Sequence, residues 1–166
     1  MRIDRDLNAL ITHAIGLARH LIVDEQVDEI TPCFICQTKQ GMLIVYACEW
    51  PDRQAKYQSL QAFRAHFQDE GYERYVFVGE AWKGSAEDTN LPPSERKSRQ
   101  EIVFIMAGDD HGALELATIP IERDANNTRS LGEVDGPADV ADANAGGLMG
   151  NLLTEPPDLS RLQARA

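Results

Sequence analysis

The residues best able to do chemistry fall in three short stretches. "PCFIC" at 32–36 spaces Cys33 and Cys36 as a CxxC, and Cys48 follows in "VYACEW". "GDDHG" at 108–112 groups Asp109, Asp110 and His111, side chains suited to a divalent metal or to proton transfer. "PPSERKSRQ" carries Arg96, Lys97 and Arg99, the densest basic cluster in the chain. Guanidinium groups there can hold carboxylate or phosphate oxygens in paired hydrogen bonds.

Each stretch also has an ordinary reading. On a strand, residues three apart point to opposite faces, so Cys33 and Cys36 diverge. A zinc knuckle needs its cysteines at a turn with two further ligands, and the chain has no second CxxC and no HxxxH. A two-residue turn at Lys39 and Gln40 would set Cys33 and Cys48 diagonally on one face. The expectation is three reduced, metal-free thiols packed as small hydrophobes.

"GDDHG" lies between two strand-like runs. There Asp can bond its own backbone and Gly112 can take a positive φ, which makes a hairpin loop that needs no ion. His13 and His20 share one side of the first helix, and His66 flanks the stripe of the second. Without an HExxH they read as boundary residues. Ser85, Ser94 and Ser98 sit in a loop with no GxSxG, and neither a P-loop nor a GxGxxG is present. No catalytic residue, metal or cofactor is expected. The basic trio is the expected binding site, because a long loop inside a compact domain is often a binding element.

The elements that must position these groups follow from periodicity. Leu7, Leu10, Ile11, Ala14, Ala18 and Leu21 recur at helical spacing behind Asp4 or Asp6 as a cap. "ITPCFICQTKQGMLIVYACEW" reads as a hairpin, and "DRQAKYQSLQAFRAHFQDEG" as a second helix with Leu60, Phe63 and Phe67 inward and Gly71 as its stop. "ERYVFVGEAW" is a strand, and the loop carrying the basic trio follows it. "EIVFIMA" and "ALELATIPIER" form a second hairpin, whose Pro120 points to an edge or a bulge. Short links between neighbouring strands predict an α+β domain. Its antiparallel sheet has about five strands, in the order helix-strand-strand-helix-strand-strand-strand, with two helices on one face.

The 166 residues fit one domain with a sizeable core. That domain is expected over 1–123. Residues 124–166, poor in aromatics and rich in Asp, Asn, Ala and Gly, read as a loosely ordered acidic tail. Removal from about 136 onward should then leave a folded domain, with "LMGNLL" a small apolar island. A net charge of −11 repels phosphate backbones, so direct nucleic-acid binding is not expected. No run approaches the roughly 20 apolar residues of a membrane span, and the N-terminus does not read as a signal peptide. Three cysteines fit a reducing cytoplasm.

The run "YVFVGEAWKGSA", continued by "LPPSERKSRQEIVFIMAGDDHGALELATIPIERD", resembles small uncharacterised proteins of bacteria and their mobile elements. The matching features are a strand ending "GEAW", a loop with "PPSER" and a hairpin ending "PIER", over about the middle third of the chain. The resemblance implies a phage- or plasmid-linked protein and transfers no catalytic residue. Taken together, these features predict a non-catalytic module that binds a protein partner, with a homodimer through an exposed strand edge as one form. Two other readings are a small hydrolase-like enzyme using Asp109, Asp110 and His111, with His13 or His20 brought near by folding, and an acidic inhibitor that mimics nucleic-acid charge.

Overall fold

The computed structural model describes residues 7–84, 99–139 and 152–153. The expected caps Asp4 and Asp6, the loop serines, and Arg96 and Lys97 lie outside these residues. The chain is α+β. Helix α1 (Leu7–Arg19) leads into a π-turn (His20–Asp24) and the hairpin β1 (Cys33–Gln37) and β2 (Leu43–Ala47). Helix α2 (Arg53–Glu70) precedes β3 (Arg74–Lys83), β4 (Gln100–Asp109), β5 (Leu114–Arg123), β6 (Arg129–Leu131) and β7 (Asp135–Asp139). The strands form one curled, seven-stranded antiparallel sheet in the order β2-β1-β3-β4-β5-β6, with β7 also on β5.

Both helices follow their sequence signals. Leu7, Leu10, Ile11, Ala14 and Ala18 are the buried stripe of α1. Beyond Arg19 the wider π-turn adds a residue and rotates the phase, so Ile22 is fully buried while Leu21 only flanks the core. In α2 the Asp52 carboxylate accepts from the Ala55 N–H at 2.7 Å. Gly71, at φ 70°, ends the helix by donating to the carbonyls of Phe67 and Gln68.

The two helices lie on opposite faces of the sheet, not on one as the sequence predicts. α1 packs with Cys33, Ile35, Val76, Val78, Val103, Ile105, Ala117 and Ile119. The buried residues of α2, Leu60 and Phe67, pack with Phe34, Cys36, Tyr75 and Phe77. Alternate residues of β1 therefore serve different cores. A strand buried on both sides is apolar throughout, and such a run does not disclose which helix covers which face.

The β1–β2 turn corrects a second expectation. Cys33 pairs with Ala47 and Gln37 with Leu43, which leaves a longer loop than Lys39 and Gln40 alone. Thr38 N–H donates to Met42 O, and Gly41, at φ 88°, donates back to Thr38 O. One extra loop residue shifts the register and reverses every side chain beyond it. Cys48 therefore joins Cys36 in the α2-side core, and Cys33 faces α1.

The ladder continues past Arg123, where composition puts the start of a tail. β6 and β7 both pair with β5, so β5 is not an edge strand. Pro120 O accepts from Gly132 N–H at 2.9 Å. Backbone groups of one strand residue point the same way, so the donor Pro120 lacks would face the break between β6 and β7. Leu152, inside the apolar island, is fully buried in the α2-side core, and its carbonyl accepts from Gln68 Nε2 at 3.1 Å. A segment with few large apolar residues thus places one where it counts.

Candidate functional site: the outer edge of strand β2

The structure gives most of the chemically able residues structural work. The Asp109 carboxylate accepts from the N–H groups of His111 and Ala113, both at 2.9 Å, and Gly112 takes φ 87°. This is the hairpin loop that sequence predicts. His111 Nε2 lies 3.5 Å from Asp110 Oδ1 with its ring largely in solvent. His20 sits at the π-turn, far along the chain's first helix from His13, and contacts Asp24 Oδ2 at 3.2 Å and Glu25 Oε1 at 3.5 Å. Both it and His13 are exposed. Among the described residues no group of three His, Cys, Asp or Glu side chains is placed to hold a metal ion.

All three cysteines are free and buried. Burial pushes the Cys48 thiol up to about 12, with Cys33 adding to the shift, and burial raises Cys33 and Cys36 in the same direction. Such thiols stay protonated at neutral pH and are poor nucleophiles. His66 Nε2 lies 3.0 Å from the Tyr46 hydroxyl, which also hydrogen-bonds the Tyr72 hydroxyl. This chain of groups closes the rim of the α2-side aromatic core.

Of the basic trio, Arg99 lies within the described residues. Its guanidinium stacks over the Trp82 ring, 4.4 Å from the centroid, which braces the two ends of the loop against each other. Beside it a shallow depression of about 330 Å³ is lined by Lys83, Gly84, Gln100, Ile102, Thr118, Pro120 and Asp135. Lys83 and Asp135 face each other across it at 3.9 Å, so its charges are largely matched from within.

A buried cation appears where sequence puts the tail. Arg129 is 5% exposed, with Nη2 2.8 Å from Oε1 of Glu80, itself 14% exposed. The approach is off the line of a good hydrogen bond, so the contact is chiefly ionic. Nη1 donates to the carbonyls of Val27 and Asp28, and the second Glu80 oxygen accepts from Ile30 N–H. The pair ties β3, β6 and the loop after α1 together. It is a clasp.

The outer edge of β2 ends the sheet on one side. Met42 O and Cys48 N–H both engage β1-side partners, Thr38 and Pro32. Successive residues of a strand alternate in direction, so Leu43, Val45 and Ala47 point both their N–H and C=O groups away from the sheet. No described strand lies beyond β2. Among the described residues five large apolar side chains are notably exposed, and three of them are here: Met42 at 63%, Leu43 at 38% and Val45 at 60%. α1 covers β3 and β4 and leaves this strip open. Ile44 and Tyr46, alternating with the exposed residues, pack against the α2-side core.

The sequence conceals this edge because "MLIVYAC" is apolar at every position, the signature of a strand covered on both faces. One signal was present: no charge falls between Lys39 and Glu49. Natural edge strands usually carry a Lys, a Pro or a bulge. No protein-family model matches the chain, and no curated protein or solved structure matches it either.

Proposed function

We propose that the protein is an interaction module that binds an extended segment of a protein partner as an added strand beside β2. One observation carries this reading. The edge strand offers outward backbone groups at Leu43, Val45 and Ala47 together with exposed Met42, Leu43 and Val45. Main-chain hydrogen bonds to an added strand supply affinity, and pockets for alternate side chains supply selectivity. Covering a Val, Leu or Met side chain is worth about 1.5–3 kcal/mol at full burial, and these three start roughly half exposed. The gain is then on the order of a few kcal/mol before the cost of ordering the partner.

A Val45→Lys substitution tests this without touching either core. It places a charge on the outer strip, the device natural proteins use to block strand addition. Affinity capture with the wild-type chain and with V45K, each at low and high salt, should retrieve a partner only with the wild type. Equal recovery by both chains would refute the reading.

A further inference from the structure

We infer that the strand received by β2 is β2 of a second copy, joined antiparallel about a twofold axis at Val45. This rests on the strand-addition reading above. Three observations select this occupant.

The first is parity. About an axis at Val45, Leu43 stands opposite the second copy's Ala47, and Val45 opposite its own equivalent. Each outward residue then meets an outward residue. All three are narrow pairs, each exchanging two N–H···O bonds, and no outward group between Leu43 and Ala47 is left over.

The second is charge. In a chain that is 26% charged, the segment from Gln40 to Cys48 carries none, so self-pairing sets no like charges opposite one another. Lys39 precedes the strand and Glu49 follows it, both exposed. Antiparallel pairing brings the Lys39 end of one copy to the Glu49 end of the other, at both ends of the joint.

The third is shape. A twofold axis normal to the sheet puts the same faces of the two copies side by side. Leu43, Val45 and Ala47 of each copy, alternating with Ile44 and Tyr46, then form one apolar strip on the α1 side of the joint, and Met42 lies at its end on the other face.

Thiol cross-linking reads this register directly, because the native cysteines are buried. In a narrow pair the Cα atoms are about 5.5 Å apart. Val45→Cys, treated with a short thiol-to-thiol cross-linker, should give a covalent dimer as its main product. Leu43→Cys alone should give a trace, because its equivalents lie about 13 Å apart along the strands. Mixing Leu43→Cys with Ala47→Cys should restore the product. Sedimentation should show the wild-type chain as a dimer and V45K as a monomer, with circular dichroism confirming that V45K is folded.

A wild-type chain that stays monomeric overturns the self-pairing. So does a dimer that survives V45K, or one that cross-links as well from Leu43→Cys as from Val45→Cys. A monomer whose V45K variant still loses a captured partner refutes self-pairing alone. A monomer whose variant captures the same partner refutes the strand-addition reading as well.

Discussion

Arg129 shows what a single residue can do in this fold. Its guanidinium is nearly buried, and Glu80 is its only carboxylate contact among the described residues. Removing one member of a buried ion pair leaves the other charge desolvated, typically at a cost of about 3–5 kcal/mol. Arg129→Met should therefore lower the denaturant midpoint sharply. Arg129→Met with Glu80→Gln should recover part of the loss, because the Gln side-chain oxygen can still accept from Ile30 N–H. A double variant no more stable than Arg129→Met would mean that the charge is not the cause. The cysteines and tyrosines make a second case. Burial raises Cys33, Cys36, Cys48, Tyr72 and Tyr75, so the unfolded chain loses these protons first as pH rises. These groups then leave stability level below the ordinary thiol value of 9.0 and lower it as pH climbs from there toward about 12, the value of Cys48. Urea midpoints at neutral pH and at about pH 10 would check the sign, and a flat profile would contradict it.

At the scale of elements, the sequence was legible wherever one physical rule acts alone. The stripe of α1, the Gly71 stop and the Asp109–Gly112 turn all arise from local spacing and local hydrogen bonds. Strand pairing in the "PCFIC" hairpin was legible too. Its faces were not, because the loop holds one residue more than its tightest form and a single residue reverses the parity. The helix faces were hidden for a related reason: β1 is apolar on both sides, so either side could receive either helix. Composition misjudged the segment after Arg123 because β6 and β7 are short and polar and gain their stability from β5, not from their own apolar content. Leu152 is the sharpest consequence. Leu152→Ala should cost about 2–5 kcal/mol, as for other fully buried leucines, and a chain cut before it should melt well below the full one. A truncated chain with an unchanged melting temperature would show that the α2-side core closes without it.

For the whole molecule, the question is how a chain of net charge −11 presents an uncharged edge. The global charge opposes association between copies, but beyond about 8 Å at physiological ionic strength it is largely screened. Rising salt should therefore tighten a dimer built on β2. It should loosen any complex that depends on the chain's acidity. Dimer affinity measured by sedimentation across a salt series gives the sign, and a dimer that dissociates as salt rises would contradict a joint made of uncharged strands. The triple change Arg96→Ala, Lys97→Ala and Arg99→Ala should leave that affinity unchanged, since Arg99 stacks on Trp82, which lies on the part of β3 beyond its pairing with β1, and the β2 joint uses no charge between Gln40 and Cys48. The most direct measurement is residue-resolved amide hydrogen exchange at Leu43, Val45 and Ala47. Their N–H groups face outward, so in the isolated chain they should exchange rapidly, while Ile44 and Tyr46, which face β1, exchange slowly. When the edge is occupied, by a second copy at high concentration or by a captured partner, the three should become protected together. Protection that appears elsewhere while these amides keep exchanging fast would contradict strand addition at β2.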